Sequence, residues 1–243
     1  MTDEDLAAHL AQEAGRRLIA LRDASRAGNE ALGIAADRLA DSFILTALAH
    51  WRPEDAVLSE ESPDDAARLR NPRCWIIDPL DGSREYGERR EDWAVHVALA
   101  VEGRPTLGAV ALPALGRLHR SDDPAPPLPR RARPRIVVSR SRPPQEAAAL
   151  AAALDGDLVE MGSAGAKAMA VVAGEADLYF HTGGQHEWDN CAPAAVALGL
   201  GLHASRIDGA PLRYNQADNC VPDLLLGRPD LVARAIAFVT ERR

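Results

Sequence analysis

One stretch, residues 75 to 86, limits what this chain can fold into, because an apolar run there ends in two acids. The run Trp75-Ile76-Ile77 is aromatic and β-branched, which is typical of a short buried strand. Pro79 lacks an amide hydrogen, so regular strand pairing is predicted to stop beside it. We therefore expect Asp78 and Asp81 where a strand gives way to a loop.

A small-residue turn follows these acids. Gly82 allows the backbone to bend or to approach a ligand closely. Ser83 offers a hydroxyl, and amide groups after such a turn can point at an anion. Two carboxylates beside exposed amides suit a hard cation with a phosphate next to it. A solvated Asp-Gly turn is the alternative, and this short motif taken alone favours the alternative.

Composition narrows the class of protein. The chain has 243 residues, 47% of them hydrophobic, enough for one large domain or two smaller ones. A net charge of -8 argues against a general surface for nucleic acid or anionic membranes. Three cysteines, far apart, predict neither a disulfide framework nor a zinc knuckle. Because no long apolar run follows the acidic N-terminus, we expect no signal peptide or membrane span and a cytoplasmic location.

The first half mixes helical and strand patterns. Two amphipathic helices are predicted, and Asp37 lies near the expected start of the second, where a helix dipole favours an acid. Residues 56 to 59 read as a short strand that delivers Glu60 to its end. Alternation from 92 to 101 and a return run from 106 to 112 predict a hairpin. Within this hairpin, His96 is interpreted as a core residue whose hydrogen-bonding groups have partners, and not as a ligand.

A Pro- and Arg-rich segment, 122 to 135, separates this half from the rest. Its few apolar residues follow neither helical nor strand periodicity, so we predict an exposed connector whose arginines face solvent. The predicted parts are residues 1–121, the connector 122–135 and residues 136–243. Strand and helix patterns alternate through the last part, which indicates an α/β layer.

Acids at element ends could assemble one site. Glu60, Asp78, Asp81 and Asp189 come from segments far apart in sequence, and Asp189 follows a double glycine at a predicted helix start. If they converge, two or three Mg²⁺ ions could bind and keep waters that a phosphate replaces. Two such metals can activate a water and stabilise a leaving oxygen. The Ser83 hydroxyl could orient that water if a further carboxylate, such as Asp37, took its proton.

The stretch from Gly162 to Lys167 is a small-residue turn that enters a helix, and such a helix start can hold an anion. Lys167 is the only lysine of the chain and lies one turn into that helix. It could add a positive charge there. Close packing of the helix on a sheet, with a solvated lysine, is an equal alternative.

These motifs, in this order, resemble those of the inositol monophosphatase superfamily. The matching segments are Leu58-Ser59-Glu60-Glu61, the stretch from Trp75 to Glu85, Glu187-Trp188-Asp189 with Ala192-Pro193-Ala194, and Asp208 to Asn215. The details are similar to the 3′(2′),5′-bisphosphate nucleotidase branch, especially its actinobacterial form.

The resemblance implies a fold and a metal site. The fold is an α/β class, a layered αβαβα sandwich of two α/β halves, as in fructose-1,6-bisphosphatase and inositol monophosphatase. Glu60, Asp78 and the carbonyl of Leu80 would bind one Mg²⁺. Asp78, Asp81 and Asp189 would bind a second, and a weaker third ion would share Glu60.

The resemblance also implies catalytic and substrate-binding residues. Asp37 and Ser83 would activate the attacking water, and the amides of Gly82 and Ser83 would hold the scissile phosphate. Ser163, Lys167 and Asp189 would contact the substrate, Lys167 through a second anionic group. The chain departs from the family pattern at position 83, where Thr is usual, and it lacks the Lys-x-Asp often found before the Asp37 position.

The function implied is a Mg²⁺-dependent, lithium-sensitive phosphatase that removes the 3′-phosphate of 3′-phosphoadenosine 5′-phosphate, with activity on the sulfated analogue, in sulfate assimilation. The alternative is the same chemistry on inositol 1-phosphate or fructose 1,6-bisphosphate, which the acids cannot distinguish. Lys167 and Arg213 are the candidate residues for that distinction. A non-catalytic scaffold that binds metal or phosphate is a third hypothesis. The expected partner is a phosphorylated small molecule, not a nucleic-acid polymer or a membrane, and the sequence leaves monomer and homodimer open.

Overall fold

Two long helices form the first layer of the fold, which a computed structural model describes for residues 1–242. They are α1 (Asp3–Ala24) and α2 (Asn29–Trp51). The hydroxyl of Thr2 caps α1 by accepting a hydrogen bond from the amide of Asp5 at 3.1 Å. The inward leucines and alanines of both helices pack on one face of the first sheet.

The first sheet has five strands in sequential order. They are β1 (Ala56–Ser59), β2 (Arg73–Asp81), β3 (Ala94–Val101), β4 (Arg104–Leu112) and β5 (Arg117–Arg120). β1 pairs with β2 in parallel and all later pairs are antiparallel. This order brings the carboxyl ends of β1 and β2 to the same edge of the sheet.

The second sheet also has five strands, in the order β7-β6-β8-β10-β9. They are β6 (Arg135–Ser139), β7 (Asp157–Met161), β8 (Leu178–His186), β9 (His203–Ser205) and β10 (Cys220–Gly227). β6 is parallel to both β7 and β8, whereas β10 runs antiparallel to β8 and β9.

Helices on both faces of the second sheet complete five layers. α5 (Ala164–Val172) and α6 (Glu187–Gly199) lie between the two sheets and share a core with both. α4 (Ala147–Leu154) and α7 (Pro229–Thr240) cover the outer face of the second sheet. The expected αβαβα sandwich is thus confirmed. No helix within residues 1–242 combines the length and apolarity needed to cross a membrane.

The strand that carries the paired acids is longer than expected. β2 continues through Pro79 to Asp81 instead of ending at Asp78. A shift in register absorbs the proline: Asp78 lies opposite His96 and Asp81 opposite Ala94. The expectation of a loop here was therefore wrong, because a bulge tolerates a residue that cannot donate a hydrogen bond.

Smaller differences concern elements that the hydrophobic pattern does not reveal. The turn at Gly82 leads directly into a short helix, α3 (Ser83–Gly87), and β5 was not expected. α2 begins eight residues before Asp37, so this acid lies in the third turn and not near the start.

The predicted connector contains no helix or strand from residue 121 to residue 134. Its arginines do not all face solvent as expected, since Arg131 forms an ion pair at 3.2 Å with buried Asp177. The core between the sheets takes residues from both sides of the connector. We keep the division into 1–121, 122–135 and 136–243 as a proposal; Arg243 lies outside the described residues.

Candidate active site

Three carboxylates from two distant elements meet between the sheets. Asp78 and Asp81 flank the bulge of β2, and Asp189 lies in the first turn of α6. One carboxylate oxygen from each lies within 4.8 Å of the others. Asp189 also accepts a hydrogen bond at 2.6 Å from the amide of His186, which fixes its place at the helix start. These three acids therefore lie close together, as the sequence predicts.

Glu60 joins this group from the end of β1. Its amide donates to the carbonyl of Ile77 at 3.3 Å, and its carboxyl group shares a hydrogen bond with that of Asp78. Buried Asp41 holds the surrounding loop, because its two oxygens accept hydrogen bonds from Ser59 and Ser62 at 2.6 and 2.9 Å. The sequence did not single out Asp41, since its role depends on contacts made 18 and 21 residues away.

Burial and mutual repulsion make these acids hard to ionise. Burial, followed by the negative charges of Glu60 and Asp81, raises the pKa of Asp78 well above its usual range. Burial and Asp81 also raise the pKa of Asp189. Part of Glu60 is exposed to solvent, yet desolvation of its carboxyl group, followed by the charge of Asp189, raises its pKa to about 7. A cation at this position would relieve the repulsion.

Asp81 is the exception to these raised pKa values, because hydrogen-bond donors from the second half of the chain surround its carboxylate. It accepts hydrogen bonds from the hydroxyl of Ser163 and from the amides of Ala164, at 3.0 Å, and Gly165. Burial acts to raise its pKa, but His96, Ser163 and the charge of Lys167 outweigh burial and bring the pKa to about 2. The amides at the start of α5 are thus directed at a carboxylate of the protein itself.

His96 is fully buried, as the interpretation as a core residue expected, but it also lies next to these acids, which that interpretation did not anticipate. Its Nδ1 is 3.0 Å from the carbonyl oxygen of Trp188. Its Nε2 is 3.3 Å from an oxygen of Asp81, without the alignment of a good hydrogen bond. The ring therefore spans from the residue before Asp189 to Asp81 and links two of the converging acids.

The donor set fits a hard divalent cation. Carboxylate oxygens are the ligands that Mg²⁺ and Ca²⁺ prefer, and no thiol or free imidazole joins the cluster found within residues 1–242. The buried carboxylates that repel one another also need positive charge that His96 and Lys167 supply only in part.

Leu80 lies between Asp78 and Asp81, and Gly82 follows Asp81. Leu80 is buried, and its amide donates to Asp78 at 3.1 Å. Gly82 has a φ of 86°, and a Cβ there would approach Ser163 to 3.2 Å. This close approach explains why a glycine follows Asp81.

Asp37 and Ser83 line a separate cavity of about 370 Å³. Gly33 of α2 packs against Ser83, and Asp37 follows one turn later along the helix. Burial, followed by the charges of Glu61 and Glu60, raises the pKa of Asp37 to about 8. Asp37 is therefore a buried acid in the third turn of α2, not a first-turn acid that the helix dipole favours.

A second cavity, of about 190 Å³, opens beside Asp81 and Asp189. Gly82, Ser163 and Lys167 line it. Other groups that line it were not expected, among them Glu85, Ser139, Ser141, Arg142, Tyr179 and His181. Lys167 is buried, and its ammonium donates to the carbonyls of Gly162, at 3.1 Å, and Ser163. The alternative of a solvated lysine was therefore wrong.

Arg213 is exposed and does not line this cavity, so it is not placed to read a ligand there. Its motif has a different role. The hydroxyl of Tyr214 donates to Asn190 at 2.7 Å, and the amide of Asn215 donates to Glu187 at 2.6 Å. Both contacts hold the start of α6, which carries Asp189.

Comparison with known proteins gives the relatives of the chain. A sequence model described as "Inositol monophosphatase family" matches residues 4–124 and 129–236. The 3′-phosphoadenosine 5′-phosphate phosphatase of Mycobacterium leprae is 48% identical, over 99% of this chain and 94% of that protein. The 3′(2′),5′-bisphosphate nucleotidase CysQ of Escherichia coli K12 is 30% identical, over 88% of this chain and 95% of that protein.

Solved structures match the fold over nearly the whole chain. The crystal structure of CysQ from Bacteroides thetaiotaomicron superposes with a TM-score of 0.81 at 25% identity, covering 93% of this chain and 97% of that one. Inositol monophosphatase II from Staphylococcus aureus superposes with the same TM-score at 21% identity, covering 96% and 93%.

Proposed function

This chain belongs to the inositol monophosphatase family, and we propose that it is a Mg²⁺-dependent phosphatase that removes the 3′-phosphate of 3′-phosphoadenosine 5′-phosphate, yielding AMP and phosphate. The observation that carries the proposal is the convergence of Asp78, Asp81 and Asp189, within 4.8 Å, beside a cavity lined by Arg142 and Lys167. The identity of 48% to a phosphatase named for this substrate supports the choice of nucleotide.

Each acid has a part in holding the metal. Glu60, Asp78 and the Leu80 carbonyl would hold one ion, and Asp78, Asp81 and Asp189 would hold a second. Glu60 would also contribute to a weaker third ion. When bound, Mg²⁺ supplies Lewis-acid stabilisation of the charge on the reacting phosphate. The amides of Gly82 and Ser83 bind the phosphate oxygens, and Ser163 and Lys167 contact the substrate beyond them.

Two cavities border the turn at Gly82 and Ser83, since Ser83 lines one and Gly82 lines the other. We propose that they serve the two ends of an in-line displacement. The cavity of Asp37 and Ser83 admits the attacking water, and the cavity of Arg142 and Lys167 receives the nucleoside that leaves. The Ser83 hydroxyl orients the water, and Asp37 takes its proton. A base with a pKa near the working pH is effective in this role.

The remaining parts of the proposal extend beyond the site. We place the reaction in the cytoplasm, in sulfate assimilation, with activity on the sulfated analogue and inhibition by Li⁺. The partner is a phosphorylated small molecule and not a nucleic-acid polymer, and the enzyme acts as a monomer or a homodimer.

The test is phosphate release with Mg²⁺ from three substrates compared by kcat/KM: 3′-phosphoadenosine 5′-phosphate, inositol 1-phosphate and fructose 1,6-bisphosphate. We expect the nucleotide to be preferred and excess chelator to stop the reaction. Equal values for the three substrates would refute the nucleotide assignment while leaving the phosphatase assignment standing. Full activity in chelator would refute the metal site.

A further inference from the structure

The segment between β1 and β2, residues 60–72, buries an arginine and exposes a leucine. It begins at Glu60 and contains a short 3₁₀ helix, Ala66–Arg70. Arg68 in this helix is 3% exposed, whereas its apolar neighbour Leu69 is 40% exposed. An arginine is rarely buried to this extent unless its donors have partners. The partners of Arg68 therefore indicate what its burial achieves.

The guanidinium of Arg68 connects its own segment to the second half of the chain. Its Nε and Nη2 donate to the two carboxylate oxygens of Asp64 at 2.6 and 2.8 Å, a bidentate geometry. Its Nη1 donates to the side-chain oxygen of Asn215 at 2.8 Å, and Nη2 also donates to the carbonyl of Gln216 at 2.9 Å. Asp64 thus orients a guanidinium that binds residues far along the chain.

Asn215 returns this contact to the segment. Its side-chain amide donates to the carbonyls of Arg68 and Asn71 at 3.0 and 3.2 Å. Its backbone has a φ of 56°, a left-handed conformation that asparagine tolerates better than most residues. In the described part of the chain, every hydrogen bond between residues 60–72 and residues 136–242 involves Arg68 or Asn215.

The turn that contains Asn215 carries the contact on to α6. The amides of Asn215 and Gln216 donate to the carboxylate of Glu187 at 2.6 and 2.7 Å. Glu187 is buried in the first turn of α6, two residues before Asp189. One path of hydrogen bonds therefore runs from the segment that begins at Glu60 to the helix that carries Asp189.

The two ends of this path carry like charges. After burial, the charge of Asp189 is the largest influence that raises the pKa of Glu60, so the two carboxylates repel one another. This repulsion acts to separate the segment 60–72 from α6. Arg68 opposes the separation from outside the site, since it lines neither of the two cavities described above.

We propose that Arg68 is a positioning residue, which holds Glu60 and Asp189 at the separation that two bound Mg²⁺ ions require. This inference rests on the proposed function, in which these two acids bind different ions. Residues that orient metal ligands through hydrogen bonds typically change metal affinity or activity by about 10- to 100-fold when they are replaced. A lysine at position 68 would keep the charge but could not reproduce the planar set of donors.

The test measures Mg²⁺ binding by calorimetry in the absence of substrate. For Arg68→Lys we expect Mg²⁺ affinity to fall by about 10- to 100-fold. The Mg²⁺ concentration that gives half-maximal turnover should rise by the same factor. The KM for the nucleotide at saturating Mg²⁺ should change by less than about twofold, because Arg68 lies outside the ligand cavity.

Arg73→Lys is the matched control. Arg73 also forms a bidentate pair with an aspartate, since its Nε and Nη2 donate to Asp55 at 2.7 and 3.0 Å. This pair lies at the start of β2, at the opposite end of the strand from Asp78 and Asp81. Arg73→Lys should therefore lower the melting temperature and leave Mg²⁺ affinity unchanged.

Asn215→Gly is a second, milder variant. Glycine keeps the left-handed backbone and the amide that binds Glu187, and it removes only the side chain that contacts Arg68. Mg²⁺ binding should weaken in Asn215→Gly in the same direction as in Arg68→Lys. This variant decides the question if Arg68→Lys fails to fold.

Two results would overturn the role of Arg68 while the proposed function stands. One is wild-type Mg²⁺ affinity in Asn215→Gly, and the other is an equal loss of affinity in Arg68→Lys and Arg73→Lys, which would indicate a general effect of stability. A wild-type protein that binds no Mg²⁺ would refute the metal site of the proposed function itself, and with it this role of Arg68.

Discussion

The carboxylate of Asp81, at the end of β2, accepts a hydrogen bond from the hydroxyl of Ser163, which caps α5 82 residues later. The amides of Ala164 and Gly165 donate to the same carboxylate. A residue proposed to bind metal therefore also joins the two sheets. Asp78, three residues before it, accepts no such hydrogen bond from residues 136–242 and has a pKa shifted in the opposite direction.

This contrast predicts opposite effects of two matched substitutions on stability. Asp81→Asn replaces one accepting oxygen with an NH₂ group, which leaves one buried amide of α5 without a partner, because Ala164 and Gly165 donate to different oxygens. This loss should lower the free energy of unfolding by about 1 to 3 kcal/mol. Asp78→Asn removes a carboxylate that is costly to ionise and should leave the metal-free protein equally or more stable. Both variants should lose turnover. Urea unfolding in chelator measures the difference, and a larger loss for Asp78→Asn would contradict the assigned roles.

The raised pKa values predict that the metal-free protein loses stability as the pH rises. Asp37 and Glu60 have pKa values of about 8 and 7 in the folded state, above their ordinary values of 3.8 and 4.5. Between these limits the folded protein binds more protons than the unfolded one, so the free energy of unfolding falls from about pH 4 to pH 8. Thermal melts in chelator should show this trend, and added Mg²⁺ should raise the melting temperature most at pH 8. An increase in melting temperature with Mg²⁺ that is equal at pH 5 and pH 8 would contradict this pH dependence of stability.

The pH dependence of turnover should report Asp37. As the base it must be deprotonated, so kcat/KM should fall about tenfold per unit below its pKa when Mg²⁺ is limiting. Saturating Mg²⁺ offsets the charges of Glu60 and Glu61, which raise this pKa, and should move the acidic limb to lower pH. Rate profiles at two Mg²⁺ concentrations measure the movement. In Asp37→Asn the residual rate should lack this limb, and a limb that persists there would assign it to another group.

Position 83 allows a test of the hydroxyl alone. Ser83→Ala removes the group that orients water and should lower kcat by about 10²- to 10⁴-fold. Ser83→Thr keeps the hydroxyl and restricts its rotamers, so it should keep most of the wild-type rate. Mg²⁺ affinity, measured by calorimetry, should be the same in both variants. Equal kcat values for the alanine and threonine variants would exclude the proposed role.

Residues with a local signal could be predicted from the sequence. An apolar run that ends in Asp78 and Asp81, and a double glycine before Asp189, mark element ends where acids are exposed to a ligand. The αβαβα fold followed from the order of the motifs and the resemblance they carry. The sequence could not show that β2 continues through Pro79, because a bulge depends on the register of the neighbouring strand.

Residues whose role depends on topology had no local signal. Arg142 resembles any arginine in a polar loop until the order β7-β6-β8 places that loop beside the acids. His96 fits a buried strand pattern, and only the bulge opposite it brings its ring to Asp81. Asp37 was identified, but the length of α2 decides that it is buried.

The core between the two sheets, which takes residues from both sides of the connector, has a consequence for synthesis. The first sheet leaves the ribosome with one face uncovered, since α5 and α6 are made later and must fold back over it. At that stage Asp78 and Asp81 exist, but neither Ser163 nor Asp189 does. The nascent chain therefore carries an exposed apolar surface and no complete metal site until α6 has emerged.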